Sequence, residues 1–159
     1  MNPKAIFFDR DNTLIEDKGY MFNPDDLKFF PDTIEVLNHL QQQGFMLFIV
    51  TNQSGIGRGY FTEENMHEFN DHMISELLKY GINIQEIVFC PHTPNDKCMC
   101  RKPSPKLINN LCDQYSINKS LSYMVGDKQS DVDAAINAGV NPVRITPGNL
   151  KNDIFTQLK

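Results

Sequence analysis

The sequence is poor in several features that characterise particular classes of protein. It has no tryptophan, four cysteines, and no apolar run longer than the six residues 45–50. Such a run is far too short to cross a membrane, and four cysteines in 159 residues do not indicate a disulfide scaffold. The N-terminal segment shows no secretory signal, because charge follows after only four apolar residues. These absences predict a cytoplasmic protein that does not bind membranes.

Positive charge is also scarce. Fifteen Lys and Arg residues stand against twenty Asp and Glu residues, which gives a formal net charge of −5. Nucleic-acid binding needs a basic surface, often with aromatic side chains for stacking, so the composition argues against a nucleic-acid partner. Hydrophobic residues make up 40% of the chain, as in an ordinary globular protein. We expect one domain over residues 1–159, and a monomer.

Short apolar runs alternate with segments of helical periodicity. Five runs predict short, fully buried strands: Ala5–Phe8, Met46–Val50, Ile87–Phe89, Tyr123–Val125 and Val143–Ile145. Helices are predicted between them, with proposed N-caps at Thr62, Ser104 and Ser130 and the last helix ending at Gly139. This alternation favours an α/β fold with a central parallel sheet covered by helices on both faces. Ligands bind such sheets at the carboxyl ends of the strands.

Two aspartates follow the first predicted strand. Asp9 and Asp11 are one residue apart, so an extended backbone can aim both carboxylates at one place. Phosphoryl transfer through a covalent intermediate needs such a pair: one carboxylate attacks phosphorus, while the other protonates the leaving alkoxide and then activates water. A divalent cation should offset the repulsion between carboxylate and phosphate, and Mg²⁺ suits an oxygen-rich site. The alternative is that both aspartates merely cap the next turn.

Further polar residues at predicted strand ends favour the phosphoryl-transfer interpretation. Thr51 follows the second strand and can donate hydrogen bonds to phosphate oxygens. Lys102 can balance the charge of the transferred phosphoryl group. Asp127 can supply a further metal ligand, and Asp131 either another ligand or a partner of one. Each segment alone could be a solvated polar turn, but together they indicate a phosphate site.

In this order, the four segments resemble the motifs of the haloacid dehalogenase superfamily of phosphotransferases. The matching residues are Asp9-x-Asp11-x-Thr13, Thr51, Lys102 and Gly126-Asp127-x-x-x-Asp131. The resemblance spans roughly residues 5–145 and implies a Rossmannoid three-layer sandwich. One departure is Asn12, where many members carry Gly. Because Asn tolerates left-handed backbone conformations, we expect the turn to survive this change.

The resemblance also implies a role for each matching residue. Asp9 would be the nucleophile and Asp11 the general acid/base. Thr51 and Lys102 would hold the phosphate during catalysis. Asp9, the backbone carbonyl of Asp11, and Asp127 would bind Mg²⁺.

A second group of residues indicates a different metal. Cys90, His92, Cys98 and Cys100 form the pattern C-x-H-x5-C-x-C, a complete tetrahedral ligand set for Zn²⁺. Four protein ligands leave no position for water, so the predicted role is structural. We call residues 90–100 the cysteine loop; the alternative is that these are unlinked thiols and a surface histidine. A superfamily member this short has no room for a separate cap domain, and the loop, next to residues 101–102, could take its place.

The cysteine loop followed by Arg-Lys-Pro resembles a narrower family, the phosphatases of D-glycero-D-manno-heptose 1,7-bisphosphate and of histidinol phosphate. Residues 17–20, 53–64 and 125–128 look more like the heptose branch. That branch implies removal of the C7 phosphate during nucleotide-activated heptose and lipopolysaccharide core biosynthesis. Arg58, Arg101 and Lys128 would contact the phosphate that is not transferred, and Asn52 would contact sugar or phosphate. The substrate would thus be a small phosphorylated metabolite, with histidinol phosphate of histidine biosynthesis as the alternative.

Two other classes of function remain as alternatives. A phosphoacceptor signalling domain also carries acidic residues and a lysine on a doubly wound sheet, but it would hold its phosphate rather than turn over. The second aspartate, Asp11, favours turnover because it can activate water. A zinc-stabilised nucleic-acid-binding module would need the basic groove that this acidic chain lacks. Magnesium-dependent phosphate release from a small sugar phosphate would exclude both alternatives.

Overall fold

The computed structural model describes residues 2–158 and contains five strands and six helices. The strands are β1 (Ala5–Phe8), β2 (Met46–Asn52), β3 (Ile84–Cys90), β4 (Tyr123–Gly126) and β5 (Asn141–Arg144). The helices are α1 (Thr33–Gln42), the single turn α2 (Ser54–Gly57), α3 (Glu63–Leu78), α4 (Lys106–Tyr115), α5 (Gln129–Ala138) and α6 (Leu150–Gln157). None of the helices among these residues has the length and apolar character needed to span a bilayer.

All five strands form one parallel sheet in the order β3-β2-β1-β4-β5. The predicted parallel α/β fold is therefore confirmed. The prediction that every strand is fully buried holds for β1 and β4, and for β2 except at its two half-buried end residues. It is wrong for β3, most of which is half-buried, and for β5, in which only Val143 is buried. These two strands lie at the sheet edges, where helices cover them less completely than the central strands.

Helices cover both faces of the sheet, and strand alternation assigns the core residues to each face. On β1, Ile6 and Phe8 belong to one hydrophobic cluster, and Ala5 and Phe7 to the other. The first cluster includes buried side chains of α1, α3 and α6, and the second those of α4 and α5. This is the predicted three-layer sandwich. Its rigid centre is β1, whose carboxyl end carries the first two aspartates.

The predicted helix starts have mixed outcomes. Thr62 caps α3 as predicted: its Oγ1 accepts a hydrogen bond from the Asn65 backbone N–H at 3.0 Å. The predicted cap at Ser104 is off by one residue, because the N-cap position of α4 is Pro105, which makes no capping hydrogen bond. Ser130 is not a cap either, since α5 begins one residue earlier, after Lys128. The end of α5 at Gly139 is confirmed, with a positive φ of 83°.

The C-terminal helix α6 was not predicted from the sequence. Leu150 and Ile154 are its buried residues, which is too few to give clear helical periodicity. Contacts to α1 hold it in place: the Lys151 backbone N–H donates to Asp32 at 2.8 Å, and its Nζ pairs with Glu35 at 2.7 Å. Tertiary packing therefore stabilises a helix that its own sequence signals only weakly.

Candidate active site

The carboxyl ends of the central strands bring the predicted catalytic residues together. Asp9 directly follows β1, Thr51 lies near the end of β2, and Asp127 directly follows β4. Lys102 comes from the segment after the cysteine loop, and its Nζ lies 3.0 Å from Asp9 Oδ1. The Asp9 backbone N–H donates to the Val125 carbonyl at 2.9 Å, which ties the start of the first motif to β4.

Lys102 occupies the centre of a buried ion cluster. Its Nζ donates to Asp9 Oδ1 at 3.0 Å, to Asp131 Oδ1 at 2.6 Å and to the Val50 carbonyl at 2.8 Å. An ammonium group has three N–H donors, so all of its donors are used and its position is fixed. Asp131 is 2% exposed and also accepts a hydrogen bond from the Lys128 backbone N–H at 3.1 Å. Asp131 therefore links Lys102 to the start of α5.

Burial sets the proton affinities of this cluster. It raises the pKa of Asp9 to about 7, an effect that the Lys102 ammonium opposes and the Asp131 and Asp11 carboxylates strengthen. Burial alone would lower the pKa of Lys102, but the Asp9 and Asp131 carboxylates outweigh it, so that pKa is raised. Burial and the nearby Asp131 carboxylate raise the pKa of Asp127. The site therefore holds excess negative charge that a cation would relieve.

The chemistry of these carboxylates fits a magnesium ion. Carboxylate oxygens of Asp9, Asp127 and Asp131 lie within 4.8 Å of one another. Asp127 Oδ1 is buried without a hydrogen-bond partner among the described residues, which is the state expected of an oxygen that ligates a metal. Gly126 makes the cluster possible, because a Cβ there would collide with the side chain of Asp131. Oxygen donors with this charge match the preference of Mg²⁺.

Asp11 is held beside this cluster by the residue that precedes it. The Arg10 guanidinium donates to both carboxylate oxygens of Asp11, at 3.0 Å from Nε and 3.2 Å from Nη2. Asn12, which follows, has a φ of +62°, so the left-handed conformation expected at this position is present. The backbone N–H groups of residues 13–15 all donate hydrogen bonds to the Arg10 carbonyl, and these bonds close the turn.

Thr51 and Asn52 lie at the end of β2, and both are engaged within the protein. The Thr51 hydroxyl accepts a hydrogen bond from Gln53 Nε2 at 2.8 Å. The Asn52 side chain pairs with the backbone of Lys102: Oδ1 accepts from its N–H at 3.1 Å, and Nδ2 donates to its carbonyl at 3.3 Å. Asn52 thus holds the segment that carries the lysine.

The cluster around Lys102 opens into a cavity of about 340 Å³. Eight of the residues singled out from the sequence line it: Asp9, Asp11, Asn52, Arg58, Arg101, Lys102, Lys128 and Asp131. Thr51 is buried just beneath and does not line the cavity. The lining also includes residues that were not predicted as site residues: Asp17, Gly19 and Tyr20 of one loop, residues 53–55 at the start of α2, and Ser130 of α5. The cavity lining therefore combines the carboxylates with four cationic side chains, those of Arg58, Arg101, Lys102 and Lys128.

The four predicted ligand atoms of the cysteine loop lie within 4.8 Å of one another. His92 Nδ1 lies 3.4 Å from both Cys90 Sγ and Cys100 Sγ, and Cys98 Sγ lies 3.5 Å and 3.9 Å from the same two sulfurs. A tetrahedral zinc shell with ordinary bond lengths requires S···N separations of about 3.6 Å and S···S separations of about 3.8 Å. The Sγ atoms of Cys90 and Cys100 are also in contact as in a disulfide. Zinc binding would therefore require both thiols in the reduced state.

The loop contacts the cavity through two connections. Arg101 Nη1 donates to the His92 carbonyl at 3.4 Å, so the loop orients one of the cavity's cations. The Gly57 backbone N–H donates to the Pro91 carbonyl at 2.9 Å, next to Arg58. A Cβ at Gly57 would lie 2.8 Å from that carbonyl oxygen, so the close approach requires glycine.

Comparison with known proteins identifies the family to which this geometry belongs. Residues 9–145 match the model of the haloacid dehalogenase-like hydrolases. The chain belongs to the haloacid dehalogenase-like hydrolase family. The match includes all four predicted motifs, so the resemblance expected from the sequence is confirmed.

Relatives of this haloacid dehalogenase-like hydrolase carry consistent names. It is 46% identical over 125 residues to a Thermoplasma volcanium protein named "Probable D-glycero-D-manno-heptose-1,7-bisphosphate 7-phosphatase", covering 79% of this chain and 86% of the relative. It is 40% identical over 150 residues to the D-glycero-beta-D-manno-heptose-1,7-bisphosphate 7-phosphatase of Helicobacter pylori strain J99, covering 93% and 86%.

A solved structure extends the comparison to three dimensions. The D,D-heptose 1,7-bisphosphate phosphatase of B. bronchiseptica, crystallised with magnesium and phosphate, superposes with a TM-score of 0.85. It is 30% identical, and the alignment covers 96% of this chain and 86% of that one. The haloacid dehalogenase-like fold is thereby established over nearly the whole chain.

Three buried polar residues of this hydrolase escaped the sequence analysis. Arg10, Gln53 and Asn70 are at most 4% exposed and are joined by hydrogen bonds around Asp11. Only Asn70 had a detectable signal, because it interrupts the apolar face of α3 between Phe69 and Met73. Arg10 and Gln53 look like ordinary polar residues of a loop until the fold brings them together.

Proposed function

We propose that this protein is a magnesium-dependent phosphatase that removes the C7 phosphate of D-glycero-D-manno-heptose 1,7-bisphosphate. The observation that carries the proposal is the single cavity in which Asp9, Asp11 and Lys102 meet three further cations, Arg58, Arg101 and Lys128. A bisphosphate needs two regions of positive charge, one at the phosphate that reacts and one at the phosphate that stays. The volume of about 340 Å³ suits a small sugar bisphosphate.

The first half of the reaction transfers the phosphoryl group to the protein. Asp9 attacks phosphorus, the bond between phosphorus and the C7 oxygen breaks, and an aspartyl phosphate forms. Asp11 donates its proton to the departing C7 alkoxide. The Lys102 ammonium, fixed by its three hydrogen bonds, balances the charge of the phosphoryl oxygens.

The second half releases inorganic phosphate. Asp11, now a carboxylate, takes a proton from water, and the water oxygen attacks phosphorus. The bond between phosphorus and Asp9 breaks, which regenerates the nucleophile. One carboxylate thus acts as acid and then as base, and it must stay in one place relative to Asp9 throughout.

Asp9, the Asp11 backbone carbonyl and Asp127 would hold the magnesium ion. The unpartnered, buried Asp127 Oδ1 supports this assignment. When bound, the ion would neutralise the repulsion between Asp9 and a phosphate dianion and polarise the phosphoryl oxygens. Asp131 contributes by keeping Lys102 in position, at 2.6 Å from its Nζ.

The cysteine loop would bind a structural zinc ion through Cys90, His92, Cys98 and Cys100. The distances from His92 Nδ1 and Cys98 Sγ to their neighbours support this assignment. No ligand position would remain for water, so the loop takes no part in the chemistry. Its function would be to form the cavity wall that carries Arg101, in place of a separate cap domain.

The decisive experiment measures initial rates of phosphate release in magnesium from three substrates. They are the two anomers of D-glycero-D-manno-heptose 1,7-bisphosphate, and histidinol phosphate, with Asp9→Asn protein as the blank. We expect kcat/KM for one heptose anomer to exceed that for histidinol phosphate by about 100-fold or more, since each lost charged contact removes roughly 1.5–3 kcal/mol.

A preference of that size for histidinol phosphate would overturn the proposed substrate. It would also leave Arg58 and Lys128 without a second phosphate to bind. Absence of magnesium-dependent turnover on every phosphate monoester tested would overturn the phosphatase assignment itself and favour a phosphoacceptor role.

A further inference from the structure

The largest fully buried side chain of the described residues is that of Arg10, which is 0% exposed. It lies between the two aspartates of the first motif but does not line the cavity. A buried guanidinium is costly unless all its donors are used and its charge is paired. Arg10 cannot contact a substrate, so any role in the reaction must act through the residues to which it is hydrogen-bonded.

Every nitrogen of the Arg10 guanidinium donates a hydrogen bond. Nε and Nη2 bind the two oxygens of Asp11, as described above. Nη1 donates to Asn70 Oδ1 at 2.9 Å. Nη2 also donates to the carbonyl of Met21 at 3.1 Å and to Gln53 Oε1 at 3.3 Å. These contacts fix the plane of the guanidinium.

Helix α3 contacts the Arg10 side chain through two of its residues. Asn70 is a buried amide in a helix otherwise packed through apolar side chains, and its Oδ1 accepts a hydrogen bond from Arg10. The Phe69 ring lies 4.6 Å from Arg10 Cζ and packs against the face of the guanidinium. Two residues of α3, a helix packed in the hydrophobic core, thus hold the Arg10 guanidinium in place.

Asp11 lies between this support and the cavity. Its side chain is 22% exposed and lines the cavity, whereas Arg10 contacts it from the buried side. Gln53 Nε2 adds a third hydrogen bond, to Asp11 Oδ2 at 3.1 Å. Two-point contact with a guanidinium restricts rotation of a carboxylate about both of its side-chain torsions.

We propose that Arg10, held by Asn70, is a positioning residue that fixes the Asp11 carboxylate at the leaving-group oxygen. The inference rests on the proposed function, because it assigns a purpose to the arginine through the acid/base role of Asp11. A purely structural arginine would stabilise the fold without affecting one chemical step more than another. The two roles differ in their dependence on the leaving group.

The test compares two leaving groups in Arg10→Lys protein. A sugar alkoxide needs protonation to depart, whereas p-nitrophenolate is a stable anion that departs without it. The measured quantity is kcat/KM, which covers the steps up to departure and excludes hydrolysis of the aspartyl phosphate. We expect a loss of about 10- to 100-fold with heptose bisphosphate and less than about threefold with p-nitrophenyl phosphate, consistent with a misplaced general acid.

Three further variants support the comparison. Asp11→Asn should show the same selective loss, in larger measure. Asn70→Leu should show it in smaller measure, because it removes the acceptor behind Arg10 at similar volume, and it replaces Arg10→Lys if that protein does not fold. Ser122→Ala is the matched control: Ser122 is also buried and hydrogen-bonded, but at the opposite end of the sheet, and we expect no selective loss.

Equal losses on both substrates in Arg10→Lys or Asn70→Leu protein that melts cooperatively would overturn the inference. Failure of the proposed function looks different. In that case the wild-type protein would not hydrolyse heptose bisphosphate, and the same ratio would be measured with whichever alkyl phosphate it does hydrolyse. If it hydrolyses none, Asp11 is not a general acid for alkyl phosphates and the inference falls with the proposed function.

Discussion

The aspartate site and the cysteine loop are two candidate metal sites built in opposite ways. The aspartate site comprises Asp9, Asp11, Lys102, Asp127 and Asp131, which come from distant parts of the chain and meet at the ends of sheet strands. The cysteine loop places all four of its candidate ligands within residues 90–100. Its one regular element is a short 3-10 turn, Pro94–Asp96, and residues 95–97 are exposed.

The difference indicates what each site depends on. The aspartate site rests on a hydrophobic core, so its geometry should survive loss of a ligand or of the metal. The loop has almost no core of its own, so a metal ion would have to supply the free energy that orders it. Changes in the first site should therefore affect chemistry, and changes in the second should affect local order.

The largest expected effect comes from removing the nucleophile. Asp9→Asn should lower kcat by about 10⁴-fold or more, because an amide cannot form the aspartyl phosphate. The melting temperature should not fall, because the substitution keeps the shape and an oxygen that can accept from Lys102, whose charge stays paired with Asp131, and it removes one of several buried negative charges. Steady-state phosphate release and thermal melting check both statements.

Exposed Asp113 on α4 provides the control for this substitution. Asp113→Asn makes the same chemical change away from the site and should retain wild-type kcat. Near-normal activity in Asp9→Asn protein would remove Asp9 from the nucleophile role. A collapse of its melting temperature would contradict the idea that the sheet alone maintains the aspartate site.

A smaller loss is expected from Asp11→Asn, about 10²- to 10³-fold in kcat, since proton transfer contributes less than covalent catalysis. Both the departure of the alkoxide and the hydrolysis of the aspartyl phosphate should slow. Rapid-quench measurement of phosphoprotein formation and decay separates the two steps. Unchanged rates for both would refute the acid/base assignment.

The corresponding change in the cysteine loop is Cys98→Ser. We expect zinc to fall from about one ion per chain to a small fraction, and the melting temperature to fall by about 5 °C. Because Arg101 bonds to the loop at the His92 carbonyl, KM should rise several-fold while kcat changes little. Elemental analysis, melting curves and steady-state kinetics measure the three quantities.

Cys112 offers a matched control, since it is a buried core cysteine on α4 outside the loop. Cys112→Ser should keep its zinc. Full zinc occupancy in Cys98→Ser protein would mean that the ligand set is wrong. If the wild-type protein instead contains no zinc and has two free thiols rather than four, the disulfide between Cys90 and Cys100 would be established.

The smallest expected effect is the pH dependence of stabilisation by magnesium. Burial raises the pKa of Asp9 from 3.8 to about 7 in the metal-free protein, so the folded state holds an extra proton between those values. The Asp9 contribution to the free energy of unfolding therefore falls as the pH rises through this range. Magnesium needs the ionised carboxylate, so it should raise the melting temperature by about 5 °C at pH 8 and much less at pH 5.

Asp9→Asn protein should lose most of this pH dependence, because its amide does not titrate. The part that remains should come from Asp127, whose pKa is also raised by burial. An equal magnesium effect at both pH values in the wild-type protein would contradict the pKa argument. Loss of zinc from the cysteine loop at low pH could also change the melting temperature. The control is to repeat the melts with Cys98→Ser protein, in which the pH-dependent effect of magnesium should persist.

Much of the fold could be predicted from local sequence patterns. The apolar runs located all five strands, and the cap at Thr62 and the stop at Gly139 were correct because capping depends on neighbouring residues. The predicted N-caps of α4 and α5 were displaced by one and two residues, since several polar residues there could cap. Helix α6 was missed because it has only two buried apolar residues, and tertiary contacts with the core and with α1 hold it in place.

The family, the two aspartates of the first motif and the composition of the cysteine loop could all be predicted from the amino-acid sequence, because they depend on residue types at short, fixed spacings. Which strands lie at the sheet edges depends on the assembled fold. The same fold determines that Asp131 pairs with Lys102, and that Arg10 joins Asp11 to an asparagine 60 residues away on α3. Local spacing carries no record of which buried donor meets which acceptor. That pairing arises when the core closes and every buried polar group must find a partner.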